Sequence, residues 1–292
     1  MKQRNALLGR LALFSTTLIW GTSFVLLKSA LSSIGTFWIL AIRFSVAAVM
    51  MLVLARKKLR GISARCLRGG MLMGAALAAA YIVQTFGLYY TTPGKNAFLT
   101  ASYCVLTPFL AWLFYRRRPG ISNVIAAVLC LTGIGFVSLS DGFGQVNRGD
   151  VLTLCCGVFY SLQIILVEQY IDSGETVVIS AVEFLTGACI CWLGALLFEE
   201  PPSGMTTLAW LDVAYLSIMC TGVCFFLQAW GMRYTPSSSA AMILTLESVF
   251  GVIVSILFYH EVVTAKIALG FVLIFAAVVI SELRPFRGRK LA

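Results

Sequence analysis

The chain alternates long stretches that lack charged residues with short stretches in which Lys, Arg, Asp and Glu are concentrated. Many of the uncharged stretches approach about 20 residues, the length that an α-helix needs to cross a bilayer. Arg43 and Glu247 interrupt two of them. The pattern predicts an all-α membrane protein with ten transmembrane helices, near 9–29, 35–55, 70–90, 95–115, 121–139, 150–170, 177–198, 207–229, 237–259 and 264–283.

Composition supports a protein embedded in lipid and excludes several other classes. Of the 292 residues, 60% are hydrophobic and 12% are charged, whereas a soluble domain has about 25% charged residues. Too few ionised groups are present to cover a soluble globule, so an ordinary cytosolic enzyme, a disordered chain and a disulfide-stapled secreted module are excluded. Eight of the nine cysteines lie in apolar runs and there is one histidine, so we expect no metal site and no cofactor.

The net charge of +10 is explained by membrane topology rather than by nucleic-acid binding. If the N-terminus lies inside and the helices alternate, 17 of the 22 Lys and Arg residues fall in inner segments and four in outer segments. Because Lys and Arg concentrate in cytoplasmic loops, we expect both termini in the cytoplasm and the protein in the plasma membrane. The basic segments 56–68 and 116–118 are expected to contact anionic membrane lipids, and no nucleic-acid partner is expected.

The two halves of the sequence are related by an internal repeat. A shift of 144 positions aligns residues 84–115 with 228–259 without a gap, and nine of the 32 aligned positions are identical. Gln84 is paired with Gln228, an identity between polar residues that an apolar composition does not produce by itself. The repeat predicts a first five-helix unit, a second five-helix unit and a short basic tail, at residues 1–141, 149–284 and 285–292.

The odd number of helices in each unit has a consequence for topology. After five crossings the second unit enters the membrane in the opposite sense, so the two units form an inverted repeat. Transporters built in this way bind substrate near the midplane between the repeats and alternate access by rocking one unit against the other. The sequence therefore predicts a transport path between two inverted five-helix bundles.

Short motifs along nearly the whole chain resemble those of EamA-type members of the drug/metabolite transporter superfamily. They are Trp20-Gly21, Arg43, Thr107-Pro108, the stretch Ala240 to Phe250, His260-Glu261 and Gly270. The chain departs from the family pattern at Glu247-Ser248, where the family has Glu-Pro, and at Arg116-Arg117, where it often has Gly-Glu. The resemblance implies transport of small organic metabolites or drugs, commonly exported by proton coupling or by exchange.

Three ionisable residues lie at membrane depth, well inside predicted helices, and such residues usually face the protein interior and have partners. Glu247 is near the middle of the ninth helix, where it could bind a proton or a substrate cation, or form a hydrogen bond between helices. Arg43 in the second helix could bind a substrate carboxylate through its guanidinium, or pair within the protein with a carboxylate or with the carbonyl oxygens of a helix C-terminus. Glu183 is expected near the cytoplasmic boundary as a solvated interfacial residue.

Uncharged polar and aromatic residues complete the candidate substrate site. Gln84 and Gln228 occupy positions related by the repeat, and Gln163 and Asn96 are further amides within predicted helices. Each of these four amides either faces a cavity or joins two helices. Aromatic side chains could stack against an aromatic or cationic substrate, or serve packing alone. They are Trp20, Tyr81, Tyr103, Tyr160 and Trp230, and the repeat aligns Tyr103 with Glu247.

These observations favour a secondary transporter of a small organic molecule over a channel, a receptor, a lipid scramblase or an intramembrane enzyme. An enzyme would need a nucleophile with a base, or metal ligands, and a channel would need rings of charge or carbonyls. The substrate is expected to be an amino acid, an aromatic metabolite or an amphipathic cation. The protein is expected to act as a monomer or homodimer. The expected direction of transport is export.

Overall fold

The computed structural model describes residues 2–56, 62–116, 118–139, 147–170, 176–232, 234–235, 240 and 243–283. Within these ranges the chain is helical and contains no β-strand. The first half contains α1 (Lys2–Ala30), α2 (Thr36–Ala55), α3 (Ala64–Tyr90), α4 (Pro93–Ala101), α5 (Tyr103–Tyr115) and α6 (Ile121–Ser138). The second half contains α7 (Arg148–Tyr170), α8 (Thr176–Phe198), α9 (Thr207–Tyr215), a π-helical segment (Leu216–Val223), α10 (Cys224–Met232), α11 (Leu246–Phe258) and α12 (Ala265–Leu283).

The helices are long and apolar enough for a multi-pass membrane protein. Among the described residues, eight continuous helical stretches could cross a membrane, two of which join α4 with α5 and α9 with α10. Two shorter apolar helices, Leu246–Phe258 and Ala265–Ser281, lie in the regions of the ninth and tenth predicted helices. The all-helical membrane class is confirmed, while the predicted tail at 285–292 lies outside the described residues.

Contacts between helix ends place the ends on two opposite faces of the bundle. On one face, Arg65 at the start of α3 donates its Nη2 to the carbonyl oxygen of Gln169 at the end of α7, at 3.1 Å. On the other face, Lys266 at the start of α12 donates its Nζ to the carbonyl oxygen of Leu139 after α6, at 2.8 Å. We call the first the basic face, because its described residues include Arg56, Arg65, Arg68, Arg116 and Arg118, and the second the far face.

Most helices pack in one of two groups, one around α3 and the other around α1. The helix α3 packs against α7 and α8, whereas α1 packs against α10 and α11. Direct contacts of α2 with α8, of α4 with α11 and of α6 with α12 join the two halves of the chain. One apolar core surrounds Phe44 and Phe184 on α2 and α8, and another surrounds Phe98 and Phe271, whose rings stack with centroids 4.4 Å apart.

Two helices that the sequence pattern predicted as continuous are broken near their centres. The helix α4 ends before Ser102, which has φ −57° and ψ −19°, and α5 continues from Tyr103. In the second half α11 begins after Thr245, which has φ −63° and ψ −20°. The two breaks therefore have nearly the same backbone conformation and lie within one position of the 144-residue repeat. Apolar periodicity could not reveal them, because the residues on both sides keep a helical pattern.

Pro108 explains a polar contact inside the apolar part of α5. Proline has no N–H, so the carbonyl oxygen of Cys104 four residues earlier has no backbone donor within the helix. Ser281 on α12 donates its Oγ to this oxygen at 3.2 Å. The proline thus creates an acceptor that joins α5 to α12.

The π-helical segment provides hydrogen-bond acceptors where α1 and α2 approach it. Thr221 donates its Oγ1 to the carbonyl oxygen of Leu216, five residues earlier, at 2.8 Å. The carbonyl oxygen of Cys220 accepts a hydrogen bond from the indole Nε1 of Trp20 on α1, at 2.7 Å. Segments of this kind are rare and are frequently found at functional sites, and this one lies beside the cavity described next.

Candidate functional site

A central cavity of about 670 Å³ lies between the two halves of the chain. Its walls come from α1, α2, α3, α4, α5, α7, α8, α10 and the beginning of α11. The volume falls within the range of about 300–1,000 Å³ that is usual for small-molecule sites. The cavity can therefore hold one small organic molecule.

The cavity extends to the basic face and ends below the far face. Leu54 and Met232, which are 52% and 48% exposed, line it at the basic-face ends of α2 and α10. At the other end it is lined by Leu27 and Gln84, which are both buried. The cavity thus runs from the basic face toward the middle of the bundle.

Arg43 is held in the wall by the π-helical segment and by an aromatic ring. Its side chain is 3% exposed, and its Nε donates to Thr221 Oγ1 at 3.1 Å. The guanidinium carbon lies 5.1 Å from the centre of the Tyr81 ring, a cation–π contact. Among the described residues Arg43 forms no ion pair, so the expected carboxylate partner within the protein is not present there.

Glu247 lies in the first turn of α11, directly beyond the break at Thr245, and lines the cavity. Its carboxylate forms no hydrogen bond or ion pair with any other described residue. The first N–H groups of a helix lack partners within the helix and attract negative charge. The break thus places a helix N-terminus and an unpartnered carboxylate together at the wall of the cavity.

Glu183 is buried inside the protein, so the expectation of a solvated interfacial residue is wrong. It is 4% exposed, lines the cavity, and accepts a hydrogen bond from Gln163 Nε2 on its Oε1 at 2.8 Å. Distance along the helix placed it near the membrane boundary. The cavity from the basic face and the packing of α3 against α8, however, enclose this turn of α8 within the protein.

Gln84 is held by two side chains rather than being free to meet a ligand. Tyr160 donates its Oη to Gln84 Oε1 at 2.8 Å, and Gln84 donates its Nε2 to Thr100 Oγ1 at 2.9 Å. Gln228 lines the cavity as well, but no described residue forms a hydrogen bond with its side chain. The two repeat-related amides therefore have different surroundings.

Asn96 is the predicted site residue that does not line the cavity. It is fully buried behind Gln84, and its Nδ2 donates to Thr153 Oγ1 at 2.7 Å and to the backbone oxygen of Gln84 at 3.3 Å. Its surroundings favour the alternative interpretation, in which this amide joins two helices. Asn96 therefore supports the wall without facing a ligand.

Aromatic rings form much of the remaining wall. Tyr160 contacts both Tyr81 and Tyr103, with ring centroids 5.6 and 5.8 Å apart. In another part of the wall Trp20 contacts Phe225 edge to face, with ring centroids 5.5 Å apart. The predicted residues that line the cavity are Glu247, Gln84, Gln228, Tyr103, Trp20, Tyr81, Tyr160, Gln163, Arg43 and Trp230.

Three features of the site were not identified from the sequence. They are the buried carboxylate of Glu183, the Thr221 hydroxyl that binds Arg43 and the Cys220 carbonyl that binds Trp20. Arg43 and Glu183 lie 140 positions apart, close to the 144-position shift of the repeat, and this relation was a signal for the first. The other two depend on the π-helical segment, for which the apolar pattern gave no signal.

This chain is similar to known membrane transporters over most of its length. A family model described as the EamA-like transporter family matches residues 7–139 and again residues 147–283. A protein of Archaeoglobus fulgidus named an uncharacterized transporter is 32% identical over 276 residues, which cover 94% of this chain and 85% of the relative. A biotin transporter of Salmonella typhimurium is 22% identical, covering 85% of this chain and 84% of its own length. A solved crystal structure with 19% identity has the same fold, with a TM-score of 0.65 over 93% of this chain and 95% of that one.

Proposed function

Because this chain belongs to the EamA-like transporter family, we propose that it is a secondary transporter that carries a small organic molecule through the central cavity by alternating access. The proposal depends chiefly on one observation: the cavity takes its walls from both halves, extends to the basic face and ends below the far face. A cavity open at one face is what one state of an alternating-access cycle requires. Membership of a family of membrane transporters supports the same conclusion.

We further propose ten membrane crossings arranged as two inverted five-helix repeats. The matching breaks at Ser102 and Thr245 support this arrangement, since discontinuous helices surround the substrate in many inverted-repeat transporters. The packing of α3 against α7 is matched by that of α1 against α10. The basic face then lies in the cytoplasm with both termini, and the membrane is the plasma membrane.

The charged groups of the cavity suggest how a substrate is held. Glu247 has no partner in the described protein and would bind either a proton or a cationic group of the substrate. Arg43 keeps guanidinium N–H groups in addition to the one bound to Thr221, and these would bind a substrate carboxylate. Trp20, Tyr81 and Tyr103 would contact an aromatic or apolar body. Amino acids, aromatic metabolites and amphipathic cations fit this description.

The same residues suggest a coupling mechanism. If a proton and a cationic substrate compete for Glu247, the inward movement of the proton can drive the outward movement of the substrate. We therefore propose export from the cytoplasm by proton coupling or exchange, with a monomer or homodimer as the working unit. The biotin transporters among the relatives make biotin, a carboxylate, a useful test ligand for Arg43.

The proposal is tested by ligand binding and then by flux. A thermal-shift screen of purified protein against amino acids, aromatic metabolites, organic cations and biotin identifies ligands, because binding raises apparent stability. Proteoliposomes then measure ligand flux with and without a pH gradient. We expect flux that responds to the gradient in the wild type, and loss of flux or of its pH dependence in Glu247→Gln, which retains the fold.

The control is Glu200→Gln, which changes an exposed carboxylate in the connection after α8 and should transport as the wild type does. Unchanged pH-driven flux in Glu247→Gln would exclude this residue from coupling. Unitary currents in a planar bilayer would support a channel instead, and turnover of a lipid or peptide would support an enzyme.

A further inference from the structure

We propose that Lys28 is the latch that closes the cavity at the far face, and that its release opens the cavity to that side. Lys28 lies in the last turn of α1. Its Nζ donates to the carbonyl oxygens of Leu88, Tyr89 at 3.0 Å and Thr91 at 3.1 Å. All three donors of the ammonium are therefore directed at the end of α3. The proposal rests on the transport function proposed above.

The chemistry of a helix end explains why this contact is strong. The last carbonyl groups of a helix have no partner within the helix, and they carry the negative end of its dipole. A lysine ammonium satisfies several of them at once with charge-assisted hydrogen bonds, which are stronger than those between neutral groups. The latch therefore stabilises the closed arrangement of α1 and α3.

The latch lies directly above the end of the cavity. Leu27, the neighbour of Lys28, lines the cavity, and so does Gln84, one turn before Leu88. Leu27 and Leu88 are both buried in an apolar cluster that also contains Ile39 of α2. This cluster fills the space below the ammonium, so separation of α1 from α3 would open a path from the far face to the cavity.

Other polar contacts at the far face join helices that already pack together. Ser29 donates its Oγ to Asp212 Oδ2 at 2.8 Å and joins α1 to α9. Glu261 accepts a hydrogen bond from the backbone N–H of Gly94 and joins the end of α11 to α4. Glu199 accepts from the N–H groups of Phe37 and Trp38 and joins α8 to α2. Lys28 instead joins α1 to α3, helices that pack mainly against different partners.

The basic face lacks the corresponding closure in the described part of the chain. The repeat relates α1 to α7, α2 to α8 and α3 to the helix formed by α9 and α10. The contact of α2 with α3 has no equally extensive counterpart between α8 and α10 among the described residues. The cavity extends to the basic face and ends below the far face, so the described part of the chain is closed at the far face.

Hydrogen-exchange mass spectrometry on the purified full chain in lipid nanodiscs tests the latch without requiring a known substrate. Lys28→Met keeps most of the side-chain volume but removes every donor. We expect amide exchange in peptides covering 24–34 and 84–92 to become faster by at least about tenfold, the factor for loss of a single charged hydrogen bond. Exchange in peptides covering 160–169 and 224–232 should become slower, because opening the far face closes the basic face.

Controls separate this opening from general loss of stability. Lys28→Arg keeps the donors, and Ser29→Ala removes only the neighbouring contact within a packed pair, so both should resemble the wild type. Should Lys28→Met fail to fold, Lys28→Gln must show the same opposite changes at the two faces. Unchanged exchange, or faster exchange at both faces, overturns the latch. Because exchange is measured without substrate, this result is distinct from a failure to find transport.

Discussion

A methyl group added to Gly149 on α7 would lie 2.5 Å from the carbonyl oxygen of Gly87 on α3, so these two helices touch backbone to backbone. The second half contains a matching pair, because a methyl group on Gly231 of α10 would lie 2.8 Å from the carbonyl oxygen of Gly9 on α1. A shift of 144 relates Gly87 to Gly231, and the offset of 140 relates Gly9 to Gly149. The two halves of the chain thus use the same close contact.

We predict that Gly149→Ala destabilises the protein by about 1–3 kcal/mol, the usual cost of forcing an extra group into a packed interior. The added carbon would meet backbone atoms of Gly87, Tyr90 and Thr91, none of which can turn aside as a side chain could. A lower midpoint of thermal unfolding in detergent or nanodiscs would confirm this. Gly135→Ala is the control, because a methyl group there meets no atom within 4 Å, and equal midpoints for the two variants would contradict the prediction.

We predict that Thr221→Val weakens both the fold and the binding of carboxylate ligands. The change removes the acceptor of Arg43 Nε and leaves a buried N–H without its partner, which costs about 1–3 kcal/mol. The guanidinium is then free to rotate, so its remaining donors are less well directed. The thermal-unfolding midpoint and the dissociation constant of a carboxylate ligand, expected to rise about tenfold for one lost charged hydrogen bond, provide the measurements.

The matched control for this variant is Thr22→Val on α1. Its hydroxyl bonds to Tyr215 and to the Ile19 carbonyl oxygen, so the change removes a comparable pair of hydrogen bonds that do not involve Arg43. Thr22→Val should lower stability while leaving carboxylate affinity intact. If both variants lose affinity equally, Thr221 has no special relation to the guanidinium.

Gln84→Leu and Gln228→Leu should differ although the repeat pairs these residues. Loss of the Gln84 amide leaves Tyr160 and Thr100 without their partner, which predicts a loss of about 1–3 kcal/mol in the free energy of unfolding. Gln228 has no bond with a described residue, so its replacement should change stability by less than about 0.5 kcal/mol and act mainly on flux. Thermal unfolding and proteoliposome flux measure the two effects, and equal destabilisation would show that Gln228 is also held by the protein.

Much of the candidate site could be predicted from residue type and membrane depth. A polar or ionised group within a long apolar run must avoid lipid, so Arg43, Glu247 and Gln163 were expected to face the interior, and all three line the cavity. The same reasoning could not separate Gln84 from Asn96. Both are buried amides, and only the packing of α4 against α7 decides that Asn96 lies behind the wall.

The sequence by itself determined the helical membrane class, the repeat and the family, because the cost of exposing polar backbone and charge to lipid leaves few alternatives to long apolar helices. Tertiary structure alone decided where those helices break, that the π-helical segment holds Arg43 and Trp20, and that Glu183 is enclosed rather than solvated. It also decided which face the cavity meets. These properties depend on contacts between different helices, some of them between residues more than 150 positions apart, such as Arg43 with Thr221 and Trp20 with Cys220. A pattern with a period of 3.6 residues carries no information about such contacts.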